Sequence, residues 1–482
     1  MDGFTVRLLK VTIDNFKNIN HGEIVFNCAK DDDAFSEVDI LGIYGQNGSG
    51  KTSFIQSLEV LKYLLMGMSL PPGFAGFLNS EEEACHLKYH LIAKKGDYFC
   101  FYITYSVSMT KLVSSSNGLD ATGNLNTLYT NINLSNQRII IKNERITFKN
   151  LLDEKSVAQE LINCNYNASV VFSPATKVQT FTNADKMELV NLLAAKKIAQ
   201  EKSQSFIFSG LTLGSFRKNC TNSVFIDLLN SLVNYGNFDL FIVGTMQTGF
   251  ISFNARFPLY YRYINENSIP SFGIFYINAD GPTFVSETIF QILEKILPKM
   301  NIVLDAIIPG LTIKVSELGK QLFPDNSLGY NIELVAIKNN KEIPLKNESE
   351  GIRRIYSILH LLINMFNSPS MTIVIDELDS CIFEYLLGEL TSIIAESGKG
   401  QLVFTSHNLR PLETIDKRYL YFTTTNPDNR FIKLKHIKPN NNLRDVYFRD
   451  ITLGGQDEQI YDETNNISIS LAFKQAGDYY GK

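Results

Sequence analysis

The sequence predicts an α/β protein in which a mostly parallel, helix-flanked sheet is joined to an antiparallel β-lobe. Three observations carry that expectation. A Gly-rich loop, Gly45-Gln46-Asn47-Gly48-Ser49-Gly50-Lys51-Thr52, stands between an apolar strand and a helix. Near the C-terminal end, short buried-type strands alternate with helices, the pattern of a parallel sheet. Between them, Cys85–Lys94 and Asp97–Met109 are two long neighbouring strands, as antiparallel pairing requires.

The bulk numbers bound the answer. At 482 residues the chain is expected to hold two or three units. With 44% hydrophobic and 20% charged residues it has ample core, and a net charge of −5 argues against a wholesale polybasic nucleic-acid binder. Six cysteines are scattered without metal-ligand spacing and read as buried free thiols in a reducing compartment. The strongest apolar run, Ile358–Phe366, is broken by His360 and Asn364, and the N-terminus lacks a leader pattern. A cytoplasmic protein with no membrane partner is expected.

Along the chain, Arg7–Phe16 alternates apolar and polar residues, and Gly22–Asn27 completes a hairpin. Val38–Tyr44 is the strand before the loop, and the segment from Ser53 to Leu61 is the helix after it. Ser69–Glu83 reads as a loop, Ser114–Gln137 as a long mobile excursion, and Ile139–Phe148 as a second hairpin. Ala184–Tyr235 is predicted mostly helical with an interruption at Gly210–Gly214, followed by strands at Asp239–Val243, Phe250–Ile264 and Ser271–Ile277. Ser286–Ile308 is predicted as a helix broken at Pro298. Strands follow at Tyr330–Ile337, Met371–Ile375, Gln401–Phe404 and Leu420–Thr423, with helices at Gly351–Phe366 and Phe383–Ala395.

The Gly-rich loop fits G-x-x-x-x-G-K-[ST] in the strand–loop–helix context that the motif needs. Backbone N–H groups from Gly45 through Thr52, and Ser53 opening the helix, can converge on a nucleotide phosphate chain. Lys51 reaches the β- and γ-phosphates, and the Thr52 hydroxyl ligates Mg²⁺. An ordinary Gly-rich turn is the competing reading. No guanine-reading run is evident, which favours ATP over GTP.

A second cluster follows. Thr372-Ile373-Val374-Ile375-Asp376-Glu377 is a buried-type strand ending in two acids. Asp376 is placed to hold Mg²⁺ through water, and Glu377 to polarise the attacking water. Upstream, Asn347-Glu348-Ser349-Glu350-Gly351 opens a helix, where Ser349 suits an N-cap. Capping alone competes with a second reading, in which the Ser349 hydroxyl and exposed N–H groups, with Gly351, cradle a γ-phosphate from another subunit. Past the next strand, His407 stands where it would meet that phosphate.

Taken in order, these motifs resemble the ABC-type ATPase head, in its RecF/SMC-like soluble branch. The opening Leu8–Ile19 stretch resembles that branch's N-terminal hairpin, whose Asn-Phe-Lys segment lies near the nucleotide; this brings in Lys17. Glu348-Ser349-Glu350-Gly351, with Arg353 and Arg354, is similar to the signature of the AAA-type ATP-binding proteins of phage-defence and abortive-infection systems (PARIS-, Septu- or OLD-like). The resemblance implies a head formed by residues 1–150 and 281–482, with a mainly helical insertion at 151–280. It implies Mg²⁺-dependent ATP hydrolysis with Glu377, His407 and Lys51 as catalytic residues. Asp379 stands where a D-loop acid is expected, and Gln179 is a candidate Q-loop residue.

The resemblance also implies that the Ser349 helix of one copy completes the ATP site of another, in a homodimer or higher even-numbered oligomer. Leu443–Asp450 and Gly454-Gly455-Gln456 are similar to the C-terminal ends of PARIS-type ATPases. That points to a phage trigger protein and a separate effector, such as a TOPRIM- or HNH-type nuclease, as partners. The alternative is a RecF-like clamp with DNA as its partner, served by Lys417, Arg418, Arg430, Lys433, Lys435, Lys438, Arg444 and Arg449.

Overall fold

The computed structural model describes residues 4–30, 34–78, 84–113, 137–245, 249, 251, 256–264, 270–278, 281–325, 327–435, 437 and 441–478. The excursion expected at Ser114–Gln137 lies almost wholly outside them.

The chain opens with β1 (Thr5–Phe16), β2 (Ile19–Val25), β3 (Asp39–Tyr44) and α1 (Lys51–Leu65). Then come β4 (Cys85–Lys95), β5 (Phe99–Val113), β6 (Gln137–Asn150) and β7 (Gln159–Asn165). Four helices follow: α2 (Ala175–Thr182), α3 (Lys186–Glu201), α4 (Gly210–Asn219) and α5 (Ser223–Asn234). The next run is β8 (Leu240–Val243), β9 (Arg256–Ile264), β10 (Pro270–Asn278), β11 (Thr283–Ser286), α6 (Glu287–Ile307), β12 (Leu311–Leu322), β13 (Leu328–Lys338) and β14 (Lys341–Pro344). The chain then gives α7 (Glu350–Asn367), β15 (Thr372–Ile375), α8 (Glu384–Ser397), β16 (Gln401–Thr405) and α9 (Pro411–Thr414). It closes with β17 (Leu420–Thr423), β18 (Phe431–Ile432), α10 (Leu443–Leu453) and α11 (Asn466–Asp478).

Two six-stranded sheets organise these elements. One runs β18-β17-β3-β16-β15-β8, parallel except for the β18 edge; the other runs β2-β1-β4-β5-β6-β7 and is antiparallel throughout. β3, β15 and β16 are buried along their full length, which is why they read as continuous apolar runs and not as alternations. A smaller sheet, β11-β13-β12 with β14 on β13, and the β9–β10 hairpin pack with α6 and α7 around a core of their own.

The stretch 151–280 supplies β7 to the antiparallel sheet and β8 to the parallel one. Its helices bury Phe181, Leu192, Phe216 and Leu229 in the same core as the strands of the lobe.

Three local expectations are corrected. The segment Ile139–Phe148 is not a hairpin but the middle of one strand, paired on one side with β5 and on the other with β7. Its polar Lys142-Asn143-Glu144 looks like a turn, yet the Glu144 carboxylate is buried and accepts hydrogen bonds from Tyr105 and Tyr166 at 2.6 and 2.7 Å. α6 runs unbroken through Pro298. Both Pro298 and Glu294, whose carbonyl the proline leaves unpaired, are exposed, so water can satisfy the orphaned oxygen. The Gly210–Gly214 stretch begins α4 instead of interrupting a helix, because Ser209 caps it by accepting from Thr212 N–H. All six cysteines are free, but only Cys28, Cys85 and Cys164 are buried, and Cys381 is exposed. Among the described residues no helix is long and apolar enough to cross a membrane.

Candidate nucleotide site

The site lies where three parallel neighbours, β3, β16 and β15, end together. Their registers pair Leu41 with Val403 and Val403 with Val374, so the residues that follow each strand converge. After β3 comes the Gly-rich loop, after β15 Asp376 and Glu377, and after β16 His407. Crevices at the carboxyl ends of parallel strands are where open α/β sheets bind ligands.

The loop is held in shape by its own packing. Gly45 has a φ of 151°, and a β-carbon there would sit 1.7 Å from Thr423 Oγ1. Gly50 adopts a φ of 102° at the N-terminus of α1, a left-handed conformation that glycine takes without strain. Thr423 Oγ1 also donates to Ser49 Oγ at 2.5 Å, fixing the loop to β17. Beneath it, the buried Arg430 donates to Asn18 O and Thr424 O, both at 2.6 Å. At the outer side Gln46 and Asp462 clasp each other: Gln46 Nε2 donates to Asp462 Oδ2 at 3.0 Å, and Asp462 N–H donates to Gln46 Oε1 at 2.8 Å.

A cavity of about 430 Å³ opens over the loop. Asn47 through Ser53 line it, together with Lys17, Asn18, Asp376, Glu377, Thr405 and His407. Lys51 Nζ rests on the carbonyls of Gly45 and Gln46 at 2.8 and 2.9 Å. Burial holds its ammonium below the ordinary lysine value, while Asp376, Glu377 and Asp379 pull the other way. Lys17 donates to Gln56 Oε1 at 2.8 Å and lies 5.1 Å from the centre of the Phe77 ring. Burial lowers its value too, against Asp376.

The acidic side is ordered by one hydroxyl. Thr405 Oγ1 donates to Asp376 Oδ1 at 2.5 Å and accepts from Glu377 N–H at 2.8 Å. Asp376 is 1% exposed, whereas Glu377 is only half-buried and adopts a φ of 52°. Asp379 Oδ2 accepts from the N–H groups of His407 and Asn408 at 3.1 and 3.0 Å, so this acid fixes the backbone that carries His407. Desolvation, then Lys51, hold the His407 imidazole below its usual range, opposed by Asp379, Glu377 and Asp376.

Thr52 and Asp376 face one cavity, as a Mg²⁺ site on a nucleotide needs. That ion keeps near-octahedral oxygen geometry, with one or two protein oxygens completed by phosphates and water. The donor set fits such an ion; among the described residues no cluster of three or more His, Cys, Asp or Glu could hold a metal alone.

Two candidates lie elsewhere. Ser349 is exposed at the start of α7, where its Oγ accepts from Ile352 N–H at 3.3 Å, and neither it nor Gly351 lines this cavity. Gln179 is exposed on α2 and is also not part of the cavity lining. Sequence reasoning missed Asn18 and Thr405 as site residues. Asn18 adjoins Lys17, and Thr405 stands two residues before His407. Arg430, expected in a basic stretch that would serve DNA, is instead buried under the loop, and Asp462 carried no sequence signal.

Fold and site together place a Gly-rich loop, two acids and a histidine around one cavity at the carboxyl ends of three parallel strands. Solved structures with similar chain paths include an SMC head bound to the C-terminal winged-helix domain of ScpA (10% identity, 89% of this chain and 97% of that one, TM-score 0.38). An SMC head domain from Thermotoga maritima matches at 13% identity over 89% and 100% of the two chains, with a TM-score of 0.37. The recombination mediator RecF, in complex with a nucleotide, matches at 12% identity over 84% and 94%, with a TM-score of 0.33. No protein-family profile matches the sequence, and no curated protein does.

Proposed function

We propose that this chain is a RecF/SMC-like ATPase that binds and hydrolyses ATP with Mg²⁺ between two copies of itself. The observation that carries this is the convergence of Lys51, Thr52, Asp376, Glu377 and His407 on one cavity. In that cavity the N–H groups of the loop and Lys51 bind and orient the phosphates, while Thr52 and Asp376 hold Mg²⁺, which offsets the charge that develops on the transferred phosphoryl group. Glu377 takes the proton of the attacking water, and His407 contacts the γ-phosphate. The Ser349 helix start does not line this cavity and is exposed, which suits a role in the partner's site.

Substitution separates binding from turnover. Glu377→Gln should keep ATP affinity within about threefold, lower turnover by roughly 10²–10⁴-fold, and accumulate an ATP-loaded dimer on size-exclusion chromatography. Ser349→Arg should bind fluorescent ATP normally but neither dimerise nor turn over. Wild-type turnover in Ser349→Arg would refute completion of the site by a second copy.

The cycle serves, in our reading, anti-phage defence: the ATPase senses a phage component and controls a separate toxic effector, a nuclease of TOPRIM or HNH type. The support is the Glu348–Gly351 signature with Arg353 and Arg354 and the two C-terminal segments similar to PARIS-type ATPases. The RecF-like DNA clamp gains less support. Its basic stretch is largely paired within the chain: Lys435 with Asp457, Arg444 with Glu413 and Glu384, Arg449 with Asp450, and Arg418 with Glu37. Co-expression with the neighbouring gene product and phage challenge tests the defence role. DNA binding that steepens with ATP and falls sharply with salt would instead favour the clamp.

A further inference from the structure

α7 touches the loop that follows β15, notably at Gly351 and Arg354. Gly351 lies so close to the Cys381 carbonyl that a β-carbon would meet its oxygen at 2.4 Å. Almost one turn further on, Arg354 Nη2 donates to the backbone carbonyl of Asp376 at 3.4 Å. Arg354 is 1% exposed, and among the described residues its Nε and Nη1 have no hydrogen-bond partner; nor has the buried hydroxyl of Tyr260.

A guanidinium held this far from water is normally fully paired. Here it makes one long contact and keeps two donors unused, an arrangement suited to a group with a second set of partners in another state. Desolvation weakens its hold on its proton, while Tyr260, Cys381, Glu377 and Asp376 act in the opposite sense. The loop it contacts is bent twice through left-handed conformations at residues that carry side chains, Glu377 at 52° and Cys381 at 62°.

Ser349 and Arg354 belong to the same rigid helical segment, so a displacement of one end carries to the other. When a phosphate is gripped at Ser349, the shift is delivered to the backbone of Asp376. We infer that Arg354 is a positioning residue that couples the two nucleotide sites of the dimer, passing the state of the helix start that serves the partner's nucleotide to Asp376 and Glu377, which serve its own. This rests on the reading in which a second copy completes each site.

The test is the ATP dependence of steady-state hydrolysis. Wild type should respond sigmoidally, with a Hill coefficient of about 1.5–2. Arg354→Gln should respond hyperbolically, with kcat lowered about tenfold or more and the half-saturating ATP concentration within about twofold of wild type. A purely structural role would lower the amount of folded enzyme without altering the shape of the curve. Should Arg354→Gln melt early, Arg354→Lys is measured in its place, and the same loss of cooperativity is expected, since an ammonium cannot present paired planar donors. A hyperbolic wild type, or a folded variant that keeps the wild-type Hill coefficient and kcat, overturns the coupling. The underlying reading is checked separately: if Glu377→Gln with ATP stays monomeric, completion by a second copy fails and the coupling with it. If that dimer forms while Arg354→Gln stays cooperative, only the coupling fails.

Discussion

Thr405 connects the two acids at the scale of single residues, because one hydroxyl donates to Asp376 and receives the N–H of Glu377. Thr405→Val keeps shape and removes both bonds, leaving a buried carboxylate oxygen and an N–H without their partner. The expected outcome is a kcat lowered about 10–100-fold with nearly unchanged affinity for fluorescent ATP, the pattern of a lost supporting contact. A variant with wild-type kcat would show that the carboxylates hold themselves in place. Lys51 illustrates a different point. Its ammonium is held on the carbonyls of its own loop, and burial weakens its proton affinity. The acids opposite provide the balance.

Strand β8 shows how an element can be pinned through a costly pair. Just before it, Asp239 is half-buried, and desolvation raises its carboxyl from the ordinary range to about 6, against Arg262 at 2.8 Å. Because the folded value lies above the unfolded one, the neutral acid favours the folded state. That contribution is complete below the unfolded value and is lost as pH rises through about 6. Urea denaturation of wild type and Asp239→Asn between pH 4 and 7 should therefore show a difference that grows to roughly 3 kcal/mol as the wild-type contribution disappears. Parallel curves would assign the titration to another group. At the same scale, α7 is specified by its N-cap Ser349 and by an apolar stripe that includes Ile355, Leu359 and Leu362. Its buried Arg354 breaks that stripe, and a local break in an otherwise consistent pattern is where function is to be sought.

At the scale of the whole molecule, Arg7 fastens the two large sheets together. It lies on β1 of the antiparallel sheet and is fully buried. Its guanidinium donates to the carbonyls of Ala34 and Glu37 before β3, of Pro369 before β15 and of Lys399 before β16. Gln401 adds to the seam: its Nε2 donates to Leu8 O at 2.9 Å, and its Oε1 accepts from Leu8 N–H at 3.0 Å. Arg7→Met takes the donor from the carbonyls of Ala34, Glu37, Pro369 and Lys399 and unties the seam, so a loss of about 3 kcal/mol is expected in equilibrium denaturation. Arg7→Lys should recover only part of it, because an ammonium cannot spread donors in a plane. A loss below about 1 kcal/mol would mean that the seam is held by apolar packing alone.

Local chemistry made much of this protein legible in its sequence. The phosphate loop, the acids at Asp376 and Glu377, His407 and the N-cap at Ser349 each sit at a strand or helix end, where the residue type and its immediate neighbours state the conformation. The buried strands β3, β15 and β16 were readable for the same reason. Glu144, Pro298 and Gly210 misled because their local signals were outvoted by partners distant in sequence: two tyrosines, exposure on a helix face, and a serine cap. Arg430 under the loop, which the sequence offers only as part of a basic stretch, Asp462 clasping Gln46 and the Arg7 staple were not legible in this way. The bonds of Arg430 with Asn18, Asp462 with Gln46 and Arg7 with Lys399 join residues far apart along the chain, and only the tertiary fold brings them within bonding distance.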